Sequence, residues 1–219
     1  MGNEANEQQV TDLVEAAREG APAGEKRAWL EGENGNLTVE FVTRPAVGMA
    51  FLTGVPYAAA LGVADALSEL GASGVGVSWP HDVCGPEGLL ATVGTTAGYG
   101  EGMFVVCRVA LSGVDAEHKD ALVDAIVARG LAAVDAWAAG IVAAGRAATP
   151  LGPVLNDYFD RMPLMGKDVE VVYPNGNVAM RATLVGMDVW GKATVRNALG
   201  ADLEIAPEQA SLRGVSGAR

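Results

Sequence analysis

The chain has 219 residues, half of them hydrophobic, so it is long enough to bury a real core and too apolar to be disordered. Its 27 acidic residues outnumber 15 basic ones, for a formal net charge of -12. That balance argues against a nucleic-acid surface and disfavours an anionic membrane, because both partners need basic side chains. Met1–Gln9 is polar and acidic, unlike a signal or transit peptide. The most apolar stretches, Val47–Leu61 and Leu131–Val142, are interrupted by Gly, Pro or Asp, which argues against a spanning helix.

In chain order, Val10, Leu13, Val14 and Ala17 mark one face of a helix from Val10 to Arg18, ended by Gly20 and a Gly/Pro loop to Gly24. Leu37, Val39 and Phe41 alternate with Thr38 and Glu40, a half-buried strand. Pro56 opens a helix that runs to Leu70 and stops at Gly71. Val75, Val77 and Trp79 read as a short strand halted by Pro80. Leu89–Thr96 and Met103–Leu111 are two more, joined by a hairpin through Gly98–Gly102. Asp115 is the expected N-cap of a helix to Arg129. Gly130 is expected to break or kink it, and the apolar face resumes from Leu131 to Val142.

Ala148–Pro153 carries the strongest linker signal, followed by a short helix, Val154–Arg161. Beyond Lys167 only strands are expected. Val169–Tyr173 leads into an Asn175-Gly176 hairpin, then come Val178–Met187, Ala193–Arg196 and Leu203–Ile205, enough for a small SH3-like barrel. Cys84 and Cys107 belong to no metal or redox motif, so a reduced cytoplasmic setting fits, with a single disulfide as the alternative. His81 and His118 have no companions at ligand spacing, so no histidine metal site is expected.

This order of elements, with several specific residues, resembles the bacterial biotin protein ligases of the biotin/lipoate ligase family. Trp29 to Leu37 matches the family segment that begins with Trp and ends Gly-x-Asn-Leu before a strand. Val77-Ser78-Trp79-Pro80-His81-Asp82 is similar to the family's Lys-Trp-Pro-Asn-Asp, the most distinctive match. The similarity covers about residues 27–213. It implies an α+β fold, with a ligase-like mixed sheet and helices on one side (27–153), then the SH3-like barrel (154–219), after a polar segment (1–26). It further implies biotin, ATP and Mg²⁺ as reactants and cofactor, with biotin passing through biotinyl-adenylate to a lysine of a carboxyl carrier protein.

The resemblance assigns Asp82 to the nucleotide site as the acidic residue of an active enzyme. Trp29 is placed beside the adenine, Arg27 at the end of a glycine–arginine loop, and Asn36, Trp79 and His81 around the ligand. Arg213 is placed as an arginine reaching the nucleotide from the barrel. Other positions depart from the pattern. The loop before Trp29 reads Arg18-Glu19-Gly20-Ala21-Pro22-Ala23-Gly24-Glu25, and carboxylates there repel a triphosphate. Ser78 replaces a lysine, and no lysine stands between Lys26 and Lys119, where the family has one near Glu87 or Gly88. The family's Gly-x-Gly-x-Asn strand aligns with Cys107-Arg108-Val109-Ala110-Leu111, and its early Ser-Thr-Asn is absent or reduced to Glu4-Ala5-Asn6.

Three readings follow. The first is a pseudoenzyme that binds another ligand or partner. The second is a divergent active ligase. The third is a subunit that pairs as a homodimer through a sheet edge near Met103–Leu111. Only 26 residues precede the ligase-like part, too few for a helix-turn-helix, so repressor activity is not expected.

Overall fold

The computed structural model describes residues 13–32 and 35–215. The expected helix start at Val10, the Glu4-Ala5-Asn6 segment and Glu33-Asn34 lie outside the described residues. Eleven strands occur among those described: β1 Lys26–Glu31, β2 Asn36–Thr43, β3 Gly76–Ser78, β4 Asp82–Gly85, β5 Gly88–Gly100, β6 Gly102–Leu111, β7 Asp168–Val172, β8 Val178–Met187, β9 Ala193–Asn197, β10 Asp202–Ile205 and β11 Ser211–Gly214. The helices are α1 (residues 13–18), α2 Val55–Glu69, α3 Lys119–Ala144 and α4 Leu155–Asp160.

The first sheet runs β1-β2-β6-β5-β4-β3. Every neighbouring pair is antiparallel, so the mixed sheet implied by the resemblance is here antiparallel throughout. The cause is short connections: β3 to β6 follow one another as hairpins, and only the passage from β2 to β3, through α2, crosses the sheet. Met103–Leu111, needed near an edge by the dimer reading, is the interior strand β6 between β2 and β5. The edges are β1 and β3.

Strand alternation separates the two faces of this sheet. Leu37, Val39, Phe41, Cys107, Val109 and Leu111 enter the main core with α2 and α3. Near one end of the opposite face, Val42, Val106 and Phe104 pack under Leu13 and Ala17 of α1.

The helix pair explains why Gly130 does not break α3, which is continuous from Lys119 to Ala144. A Cβ at Gly130 would stand 2.6 Å from the Phe41 ring. A Cβ at Gly62 of α2 would stand 2.5 Å from the Arg129 carbonyl. Both glycines are small because backbone meets backbone and ring there, a packing reason that outweighs glycine's poor helix propensity. Met49–Glu69 and Ala116–Ala147 have the length and apolarity of membrane spans, yet the first is mostly buried, as a core helix is.

Asp115 precedes a single 3-10 turn, Ala116–His118, and its side chain makes no capping bond. The stretch Ala148–Pro153, expected as a linker, is packed rather than loose. The Trp137 indole donates to the Pro150 carbonyl at 2.6 Å, and the N–H of fully buried Leu151 donates to Val189 at 3.0 Å. The second sheet runs β10-β9-β8-β7-β11, antiparallel at each step, and among the described residues no pairing joins β10 to β11 to close the ladder into a barrel. Its inner residues Val169, Val171, Leu184 and Val195 belong to the same core as the first sheet.

Candidate functional site

The Trp79–Asp82 segment leaves β3 through a cis Trp79–Pro80 peptide and enters β4. Trp79 is buried, and its indole N–H donates to the Gly191 carbonyl of the β8–β9 turn at 2.8 Å. The Tyr57 hydroxyl reaches the same carbonyl at 3.2 Å, and Tyr158 donates to the Pro80 carbonyl at 2.8 Å. Trp79 is therefore a packing residue that ties the second sheet to the first.

His81 meets the Tyr57 ring edge-on at 5.7 Å, and its buried Nδ1 has no hydrogen-bond partner. Burial lowers its pKa below the ordinary imidazole value, against a hydrogen bond with the Val93 backbone that raises it. Asp82 is pushed up to about 6 by burial, again partly offset by a hydrogen bond with Val93. This pair is neutral over a wider range than free side chains are. Among the described residues no three His, Cys, Asp or Glu side chains gather into a metal-binding group of their own. Above about pH 6 the Asp82 carboxylate is ionised, one oxygen ligand of the kind Mg²⁺ shares with bound phosphates.

A second cluster lies on the sheet face opposite α2 and α3, where cross-strand pairing puts Arg27, Glu40, Arg108 and Gly94 in one row. Trp29, Thr38, Ala110 and Thr92 form the next row. The Arg108 guanidinium sits over the Trp29 ring, 5.7 Å from its centroid, and its Nε lies 3.9 Å from Glu40 Oε1. Glu40 is fully buried, and among the described residues neither carboxylate oxygen accepts a hydrogen bond and the buried Trp29 indole N–H has no acceptor. Burial raises the Glu40 pKa, with Arg108 and then Arg27 pulling it back.

The two clusters touch through β5. Val93 bonds His81 and Asp82, and the next residue, Gly94, faces Arg108. Strand alternation puts Glu40 on the polar side of a half-buried strand and assigns it no role. Its one signal was the facing arginine, visible only once β6 is registered against β2.

The remaining expected residues fall elsewhere. Asn36 lines a cavity of about 270 Å³ with Thr38, Thr92 and Ala110, on the face that carries Trp29. Arg213 is on β11 and donates to Glu170 at 2.7 Å, where Arg181 joins it in an exposed ion-pair network of the second sheet. The space between Trp29, Trp79 and Cys107 is not shared: Trp79 and Cys107 belong to the main core, Cys107 on the opposite face of the sheet from Trp29. Both cysteines are free, on strands separated by β5.

Neither a family model nor a curated protein sequence matches the chain. Solved structures do. Biotin protein ligase from Aquifex aeolicus superposes with a TM-score of 0.67 at 16% identity, over 92% of this chain and 93% of that one. A biotin protein ligase-like protein of unknown function from Silicibacter sp. gives 0.58 at 18% identity, over 90% and 89%. Biotin acetyl coenzyme A carboxylase synthetase from Helicobacter pylori, with bound biotinylated ATP, gives 0.54 at 12%, over 90% and 94%. Across nearly its whole length, the chain has the biotin/lipoate protein ligase-like fold.

Proposed function

We propose that the chain is a cytoplasmic ligase-fold protein with a degenerate ligation site, a ligand- or partner-binding homologue with little or no biotin ligation. The observation that carries this reading is Arg108. On the strand where the resemblance implies glycines that let biotin lie against the backbone, the sheet face bears an arginine and its ion-pair partner Glu40. An arginine side chain there fills the space over the strand that the family's glycines leave for biotin's ring. The absence of lysine between Lys26 and Lys119 supports the same conclusion, because adenylate formation needs cations around the triphosphate.

The test is isothermal titration with biotin, ATP and lipoate, together with streptavidin-detected transfer to a biotin carboxyl carrier domain. We expect no transfer at high enzyme concentration. Tight biotin binding with adenylate formation overturns the proposal and favours the divergent ligase, whose support is the retained Trp79-Pro80-His81-Asp82. A homodimer formed through a sheet edge would use β1 or β3, and a monomer by light scattering at micromolar concentration removes it.

A further inference from the structure

On the helix side of the first sheet, a cavity of about 330 Å³ opens where α2 ends and α3 begins. Leu67 and Leu70 of α2, Leu90 of β5, Leu111 of β6 and Leu122 of α3 form its walls. Five leucine side chains give an apolar body contact area and no hydrogen bond. The polar side chains of the lining come from one segment, the turn after β6, which brings Ser112, Asp115 and His118 to a single lip. Neither Trp29 nor the Trp79–Asp82 segment lines this cavity, so it is separate from the ligase-like site.

Asp115 is the carboxylate of that lip. Its position before α3 marks it as a helix N-cap, yet the side chain makes no capping bond and stands 3.9 Å from His118 Nδ1, beyond hydrogen-bond reach. Glu117 and Asp120 follow it in sequence, against Lys119, so the acidic balance of the whole chain is repeated here. A local field of that sign draws cations and repels anions. The volume is that of a small-molecule site, at the lower end of the range of about 300–1,000 Å³, and an apolar wall with a few polar groups on one side is the usual build of such a site.

We infer that this cavity binds a small amphipathic amine, its apolar ring or chain seated among the leucines and its ammonium donating to the Asp115 carboxylate and the Ser112 hydroxyl oxygen. Apolar contact supplies most of the affinity, because Asp115 is largely exposed and an exposed ion pair contributes only a severalfold preference. The charge at the lip therefore selects among ligands of one shape, and the leucines decide whether any of them binds. This goes beyond the degenerate-ligase reading and does not depend on it, since the two sites share no residue.

The experiment is calorimetric titration of the full chain at pH 8 with 2-phenylethylamine, its uncharged isostere 2-phenylethanol and the anionic 3-phenylpropanoate, repeated on Asp115→Asn and Ala121→Phe. Ala121 is exposed on α3 and lines the cavity, so a phenyl ring there fills the space from outside the core. Saturable binding of the amine is expected, with the alcohol about threefold weaker, the ratio an ion pair at an open lip supports, and the anion weaker again. Asp115→Asn should bring amine and alcohol level, and Ala121→Phe should abolish binding of both. Because the comparison of the three probes uses the unaltered chain, it stands even where a variant misfolds. Equal binding of amine and alcohol, no saturation by the amine at millimolar concentration, unchanged discrimination in folded Asp115→Asn, or unchanged amine binding in folded Ala121→Phe each overturns the inference. Biotin titration reads the ligase-like face separately, so failure of one conclusion leaves the other standing.

Discussion

The indole of Trp79 and the carbonyl of Gly191 are joined by a 2.8 Å hydrogen bond that spans 112 residues of sequence. The most recognisable residue of the ligase-like motif therefore works as a structural tie between the sheets, with Tyr57 at 3.2 Å as a second donor to the same oxygen.

Trp79→Phe should keep most of the buried ring and lose the tie. Loss of one buried hydrogen bond and part of a buried side chain is worth about 1–3 kcal/mol, and Trp79→Ala about 3–5 kcal/mol. Urea unfolding of both variants checks the order. A Phe variant as stable as the parent would show that Tyr57 alone suffices to hold Gly191.

Asp82 sets a pH dependence with a definite sign. Its folded pKa, about 6, lies above the ordinary 3.8, so between those values the folded state holds a proton that the unfolded state has released. The stability contributed by the protonated carboxyl is complete below about 4 and is lost as pH rises through about 6. For a partly exposed carboxyl this is worth about 1–2 kcal/mol after allowance for solvent screening. His81 acts oppositely: its lowered pKa gives stability present above 6.5 and lost as pH falls through the folded value. Asp82→Asn should flatten only the first slope, so the difference between parent and variant across pH 4 to 7 isolates it.

Gly62→Ala should destabilise the fold despite alanine's better helix propensity. The new methyl would lie 2.5 Å from the Arg129 carbonyl and 2.9 Å from Gly130 Cα, so α2 and α3 must separate. Overpacking of this kind costs about 1–3 kcal/mol, more than the gain of about 1 kcal/mol from propensity. Thermal unfolding should show a lower midpoint. A higher one would mean the helices part without strain.

The thiols should label in order. Cys107 is fully buried and its thiol is pushed up to about 12, whereas Cys84 is half-buried and raised by burial and by Asp82. Because the thiolate is the reactive form, both should react slowly at pH 8, Cys84 first and Cys107 only on unfolding. Rapid modification of two thiols in the native protein would contradict the core position of Cys107.

Regular patterning made most of the fold legible in the sequence. The strand Val178–Met187 is read to its ends because an Asn-Gly turn precedes it, and α2 is framed by Pro56 and Gly71. β1, β4 and β11 escaped notice: Lys26–Glu31 carries no apolar alternation, Asp82–Gly85 is four residues long after a proline, and Ser211–Gly214 is four residues long with Leu212 as its one apolar side chain. Gly130 misled because a helix glycine chosen for close packing looks, in sequence, like one chosen to end a helix. At the site, Trp79 and Asp82 were visible as a motif, but Glu40 was not. Its pairing with Arg108 arises from the register of β6 against β2, a relationship between distant segments that strand alternation does not encode.

The shared Gly191 carbonyl also bears on modularity. A small terminal β unit invites the idea of a detachable cassette, exchanged or trimmed without harm to its neighbour. Here the donors Trp79 and Tyr57 come from one unit and the acceptor from the other, so excision at Ala148–Pro153 would strand two buried donors and bare an apolar flank. The two sheets should melt as one cooperative body, and shuffled chimaeras should fold only when the β8–β9 turn travels with the tryptophan it serves.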